Sequence, residues 1–304
     1  NAYSFNTPQS EKKSREFIAQ RLRALTRVLN HNPGLVLVGE TGVGKSRLME
    51  ELVARNDTDY RIYYDLNSIE DWLSENKNSK QTHILFMDES NLTDAHLTRF
   101  AQCFDNSIAN RQLFHNGKIY HVPTHCKVVF ACNPESYGGG RIQQRLFSRY
   151  HVPSLEFSQF PPSYIYHTMI KPLVSVFDDR QCKTYLFFNT CEALIHKYLR
   201  KEPPIETVRD LQYHMMKEMV KQLHPQHITP KKPLETSYTL TPTSQPIYHA
   251  MREFLTISHE LPQQSQLKRF GLSGLLIEGE PACGKSALIE FTLKTYFLEH
   301  ESTL

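Results

Sequence analysis

Two stretches of the chain share one uncommon grammar. "LVLVGETGVGKSRL" covers residues 35–48 and "GLLIEGEPACGKSALIEF" covers residues 274–291. Each is a short apolar run, then a loop of the form G-x-x-x-x-G-K-S, then a segment with helical spacing. A short run as apolar as "LVLVG" suits a strand buried on both faces of a parallel sheet. Such a strand, leaving through a tight loop into a helix, is one half of an α/β crossover. The same order occurring twice marks an internal repeat.

Glycines let successive backbone N–H groups curl round an anion without interference from a Cβ. The helix N-terminus behind the loop adds its positive dipole end. Gly39, Glu40, Thr41, Gly42, Val43, Gly44, Lys45 and Ser46 therefore form the first candidate phosphate cradle. Lys45 would neutralise β- and γ-phosphate charge, and the Ser46 hydroxyl would ligate Mg²⁺. The second cradle would use Gly279, Gly284, Lys285 and Ser286. No acidic strand follows that copy, so a glycine turn with a surface lysine stays open there.

The partners of the first loop lie downstream. "HILFMDES", residues 83–90, reads as a buried strand ending in Asp88 and Glu89. An aspartate at that exit can hold Mg²⁺ through its water shell, and the next carboxylate can polarise an attacking water. "CKVVFACNP", residues 126–134, is a further strand, and it delivers Asn133 to the same crevice.

Around these motifs, residues 9–31 read as an amphipathic helix burying Phe17, Ile18, Leu22, Leu25, Val28 and Leu29. Further strands are expected at 61–67 and 151–157. Ser68 is a candidate N-cap for the helix "SIEDWLSEN", in which Trp72 reads as core. A helix is expected in "LTDAHLTRFAQCFDNSI", and "RQLFHNGKIYHV" reads as a hairpin turning at Asn116-Gly117. Residues 161–223 turn helical. Residues 224–246, rich in Pro and Thr, read as a linker. After it come a helix, the strand "GLLIEG", the second loop and a helix to about Glu299.

The net charge of +3 and pI near 8.4 give no basic stripe, which weighs against nucleic acid as partner. No apolar run reaches the length of a membrane span. The six cysteines form no C-x-x-C and have no histidine pair at metal-ligand spacing in sequence. They read as reduced core thiols, as in the cytoplasm. The opening residue, Asn1, is what a piece of a longer chain or a cloning scar would show.

Taken together, "VLVGETGVGKSRL", "ILFMDESNL", "NGKIYHVP" and "VVFACNPESYGGGRIQQRLFSRY" resemble the AAA+ ATPases, in the branch of midasin, MoxR proteins and dynein. The resemblance covers residues 1–223. It implies a P-loop NTPase core with a parallel sheet flanked by helices (1–158), then a small helical lid (159–223). A linker (224–246) and the start of a second P-loop module (247–304) complete it. It implies ATP and Mg²⁺ as cofactors and Asn133 as the residue that senses the γ-phosphate. Arg149 becomes the finger that completes a neighbouring module's site, with Arg145 as runner-up. Arg209, in "PPIETVRDL", becomes the lid arginine. The implied partners are an adjacent AAA+ module, in the same chain or an oligomer, and an unidentified protein substrate. Residues 67–82 are too few for the extra helix-2 insert of MoxR-like modules. "DLNSIEDW" lacks the aromatic–apolar–Gly element of threading unfoldases.

Overall fold

The computed structural model describes residues 5–74, 81–88, 99–105, 107–134, 151–174, 181–223, 239–260, 274–281 and 283–301. The chain divides into two compact units, one of residues 8–164 and one of residues 1–7 with 165–304.

The first unit opens with helix α1, Pro8–His31, and strand β1, Gly34–Gly39. Helix α2, Lys45–Arg55, and strand β2, Tyr60–Tyr63, follow. Next come the short helix α3, Ile69–Leu73, and strand β3, Thr82–Met87. A hairpin of β4, Gln112–His115, and β5, Lys118–His121, precedes β6, Cys126–Cys132, and β7, Ser154–Phe157. Five strands form one sheet in the order β2-β3-β6-β1-β7, and every pairing is parallel.

Successive strand residues point to opposite faces, so β1 feeds two cores. Leu35 and Leu37 pack with Leu22, Leu25 and Leu29 of α1 and with Leu48, Met49 and Leu52 of α2. Val36 packs on the other face with Trp72, Phe100, Phe104, Leu113 and Phe130. Each such side chain contributes about 1.5–3 kcal/mol on burial, which is why an apolar run with no alternation forms this strand. Gly34 admits no side chain, because a Cβ there would lie 2.1 Å from the Val128 carbonyl oxygen.

The hairpin turns at Asn116 and Gly117, with φ of 49° and 77°, the two positive angles of a type I′ turn. Leu113 and Tyr120 face the core, while Phe114 and Ile119 are exposed.

The second unit is helical. A short helix, α4, Pro162–Ile165, ends the first unit and continues through a π-helical stretch, Tyr166–Ile170, into α5, Lys171–Val174. Helices α6, Gln181–Arg200, α7, Val208–Leu223, α8, Ser244–Glu260, and α9, Lys285–Glu301, follow. Thr207 and Asp210 cap α7 reciprocally. The Asp210 N–H donates to Thr207 Oγ1 at 3.2 Å, and the Thr207 N–H donates to Asp210 Oδ2 at 2.8 Å. Tyr248 and Met251 of α8 pack on Leu288 and Phe291 of α9. Among the described residues no helix is long and apolar enough to cross a membrane.

Several expectations are corrected. "GLLIEG" forms no strand: residues 274–280 are irregular, and Leu276 is 82% exposed. An apolar run becomes a strand only when a neighbour takes its N–H and C=O groups, and no strand among the described residues does so here. Ser68 makes no side-chain cap. The Asp65 carboxylate accepts from the N–H groups of Asn67 and Ser68 instead, turning the chain through a 3₁₀ turn into α3. The second strand ends at Tyr63, and the last strand of the sheet begins only at Ser154. Of the helix expected over 92–108, residues 92–98 and 106 lie outside the described residues, and 101–104 form a 3₁₀ turn.

Candidate functional site

Because the strands are parallel, β1, β6 and β3 present their C-terminal ends on one edge of the sheet. Those ends lead into Gly39, Asn133 and Asp88. Strand β6 lies between β1 and β3, so the glycine loop and the acidic strand face each other across Asn133.

The loop follows from its glycines. Gly42 and Gly44 both sit at φ 85°, a left-handed conformation that costs other residues roughly 1–2 kcal/mol. The Val43 N–H donates to the Glu40 carbonyl at 3.4 Å, and α2 starts at once, with the Leu48 N–H on the Gly44 carbonyl at 2.9 Å. A Cβ at Gly39 would lie 2.8 Å from Val43 Cγ2 and 3.0 Å from Phe157 Cβ. Buried Val43 therefore plugs the loop from beneath.

Lys45 is buried, and its ammonium lies inside the loop. Nζ donates to the Gly39 carbonyl at 2.5 Å, the Glu40 carbonyl at 3.1 Å and Asn133 Oδ1 at 3.3 Å. The Ser46 hydroxyl donates to Asp88 Oδ2 at 2.6 Å. Three strand ends are thus joined by two side-chain hydrogen bonds.

This set fits a magnesium nucleotide. A phosphate needs a buried cation and free backbone N–H groups, and the loop offers Lys45 at the N-terminus of α2. Mg²⁺ takes oxygen ligands at about 2.0–2.1 Å, so two adjacent ligands of an octahedron lie about 2.9 Å apart. The hydroxyl and carboxylate oxygens of Ser46 and Asp88 are close to that separation already.

Beside the loop lies a shallow pocket lined by Ile18, Val43, Arg47, Leu48, Phe160 and Tyr164. Arg21 builds its wall and was not anticipated from sequence. Its guanidinium donates to the Val43 carbonyl at 2.8 Å and the Ser158 carbonyl at 2.9 Å. It also lies over the rings of Phe17 at 4.3 Å and Phe157 at 4.5 Å. The i, i+4 pair Phe17/Arg21 on α1 was the available signal, but its distant partners appear only on folding.

The second loop repeats the local geometry. Gly284 has φ 83°, and the Leu288 N–H donates to the Gly284 carbonyl at 3.0 Å. Lys285 Nζ donates to the carbonyls of Gly279 at 2.6 Å and Glu280 at 2.7 Å. Ser286 follows on the first turn of α9, and Cys283 is exposed. Among the described residues no carboxylate bonds Ser286 as Asp88 bonds Ser46.

Of the other expected site residues, Glu89, Arg145 and Arg149 lie outside the described residues. Arg209 is exposed on the first turn of α7, in the helical unit.

No protein-family model matches the chain, and no curated protein matches it. Among similar solved structures is one described as the crystal structure of a DNA replication initiation factor. It is 10% identical, covering 98% of this chain and 97% of its own, with a TM-score of 0.36. A superposition that loose carries no weight for this chain, whose fold rests on the strand order and loop geometry above.

Proposed function

We propose that the first unit is the nucleotide-binding core of a AAA+ ATPase that binds ATP with Mg²⁺ and hydrolyses it. The observation that carries this reading is the 2.6 Å bond from Ser46 to Asp88, made across the one intervening strand, β6. A glycine turn with a surface lysine would not need a buried ammonium or a carboxylate aligned on the next hydroxyl.

In this reading Lys45 leaves the loop carbonyls for the β- and γ-phosphates, and Asn133, already 3.3 Å from Lys45, meets the γ-phosphate. Ser46 and Asp88 would hold Mg²⁺, which when bound would supply charge neutralisation at the phosphates. Glu89 orients and deprotonates the attacking water. The pocket beside Arg21 takes the nucleoside, its aromatic wall offering a stacking surface. Residues 159–223 act as the lid, with Arg209 sensing the γ-phosphate, and Arg149 serves an adjacent module. Residues 247–304 begin a second module after the 224–246 linker. The work done is remodelling of a protein complex, the part resting most on the midasin, MoxR and dynein resemblance.

A second reading, a scaffold that binds ATP with little turnover, suits the second loop, which has no acidic partner among the described residues. Titration with a fluorescent ATP analogue, with and without Mg²⁺, tests the proposal. Wild-type protein should bind with Mg²⁺ dependence, and Asp88→Asn should lose that dependence while retaining metal-free binding. Binding without any Mg²⁺ effect in the wild type would remove the Ser46–Asp88 assignment.

A further inference from the structure

At the opposite edge of the same sheet, the first residues of β3 and β6 bring together groups far apart in sequence. His83 and Cys126 are register partners on adjacent strands, and His125 precedes Cys126. One ring nitrogen from each histidine and the Cys126 sulfur all lie within 4.8 Å of one another. Among the described residues this is the one group of three such side chains so close together. His83 and Cys126 are buried and His125 is half-buried.

We propose that His83, His125 and Cys126 form a binding site for a thiophilic divalent metal such as Zn²⁺, with the fourth ligand drawn from solvent beside His125. The donor set of two imidazoles and one thiolate is the kind borderline-soft ions select over Mg²⁺. Tetrahedral Zn²⁺ with these ligands needs donors about 3.3–3.6 Å apart. The three donors already lie within 4.8 Å of one another, so binding asks for a contraction of about 1 Å at most.

Two further observations point to a ligand. First, His83 Nδ1 lies 2.9 Å from the Trp72 carbonyl oxygen, which can only accept. The proton therefore sits on Nδ1, and Nε2 carries the lone pair a metal uses. A carbonyl fixing one ring nitrogen while the other ligates is the usual support of a metal-bound histidine. Second, the hydroxyl of Tyr63 is buried with no hydrogen-bond partner among the described residues, and its ring lies 5.6 Å from that of His83.

The competing account is a polar anchor for Trp72, whose carbonyl also accepts from Cys126 Sγ at 3.1 Å and whose indole donates to the His83 carbonyl at 3.2 Å. That anchor explains His83 and Cys126. His125 stands outside that anchor: its ring meets the His83 ring edge to face at 5.2 Å, and its carbonyl accepts from the His83 N–H at 2.9 Å. Metal uptake would convert the Cys126 thiol to a metal-bound thiolate and release one proton to solvent, with no change in oxidation state. Burial pushes that thiol up to about 12, so the metal must supply the stabilisation that the free site lacks.

The test uses the full chain without nucleotide, stripped with a chelator, in a Cys283→Ser background that removes the exposed thiol among the described side chains. Co²⁺ titration should produce thiolate-to-metal charge-transfer absorption saturating at one equivalent. Cys126→Ser should abolish the band, and His125→Ala should weaken binding by at least about tenfold. Zn²⁺ should raise the melting temperature of the parent and not of His125→Ala. His125 is half-buried, so that variant keeps the question decidable if Cys126→Ser fails to fold. Absence of the band, or a band and Zn²⁺ stabilisation unchanged in His125→Ala, overturns the site.

Discussion

In the first glycine loop Lys45 reaches the carbonyls of Gly39 and Glu40; in the second, Lys285 reaches those of Gly279 and Glu280. Gly44 and Gly284 share a left-handed φ within 2° of each other, at 85° and 83°. The surroundings differ. Lys45 is buried and shares Asn133, and Ser46 is bonded to Asp88. The residue before the last glycine is buried Val43 in one loop and exposed Cys283 in the other. The run before the first loop is β1, paired on both sides, whereas the run before the second pairs with no strand among the described residues and leaves Leu276 exposed. The loop conformation is therefore local property of the G-x-x-x-x-G-K-S sequence. The reactive surroundings belong to the sheet, which only the first copy has among the described residues.

The largest effect expected from this contrast is on turnover. Glu89→Gln should keep ATP bound while slowing single-turnover hydrolysis about 10²–10⁴-fold, because the amide cannot accept the water's proton. The residual rate bounds whatever the second loop contributes. Wild-type turnover in this variant would place the hydrolytic base elsewhere and break the distinction between the loops.

Binding should separate them next. Lys45→Ala removes a buried cation whose charge-assisted hydrogen bonds are worth about 1.5–3 kcal/mol, so Kd for ATP should rise about tenfold to more than a hundredfold. Lys285→Ala should leave the Kd of the tight site unchanged. Calorimetric titration of both variants decides this. Equal losses would mean that the two loops act as one site or bind alike.

How far sequence carried the reading follows from the same contrast. The bounds of α2, the Asn116-Gly117 turn and the buried β3 and β6 were legible because each is set by nearby residues: a helix start after glycine, a type I′ dipeptide, an apolar run. Lys45, Ser46, Asp88 and Asn133 were legible as a set, since parallel strands must deliver their ends to one edge. "GLLIEG" misled because strand formation needs a partner that lies elsewhere. Ser68 misled because Asp65, three residues earlier, offers a stronger acceptor. The Arg21 cluster and the His83/His125/Cys126 group were invisible because their members meet only through strand register and packing. Spacing along the chain does not encode either.

A smaller effect compares the glycines themselves. Gly44→Ala and Gly284→Ala both place a Cβ on a left-handed residue, at about 1–2 kcal/mol each. A Cβ at Gly44 would also come to 3.4 Å from Phe160 Cζ, an ordinary contact, and one at Gly284 meets nothing within 4 Å. The two costs in chemical denaturation should therefore match within a few tenths of a kcal/mol when measured without nucleotide. A much larger cost at Gly44 would mean that the sheet, and not the loop sequence, holds the first loop in shape.

The smallest expected effect is a rate that does not change. Cys283 is exposed at the rim of the second loop, its sulfur 3.6 Å from Lys285 Nζ, while Cys103, Cys126, Cys132 and Cys191 are buried. Among these five cysteines a maleimide reagent should label Cys283 first, and peptide mapping identifies it. A triphosphate seated in the second loop would draw Lys285 away from its carbonyls and cover that sulfur, slowing labelling as ATP rises. A phosphate seated only in the first loop leaves Cys283 as accessible as before. Labelling at ATP concentrations that saturate the tight site should therefore run at the ATP-free rate, and Lys45→Ala should not alter it. Protection that tracks saturation of the tight site and disappears in Lys285→Ala would show that the second loop binds nucleotide without an acidic strand. Local loop geometry would then suffice for binding, and the sheet's contribution would shrink to Mg²⁺ and hydrolysis.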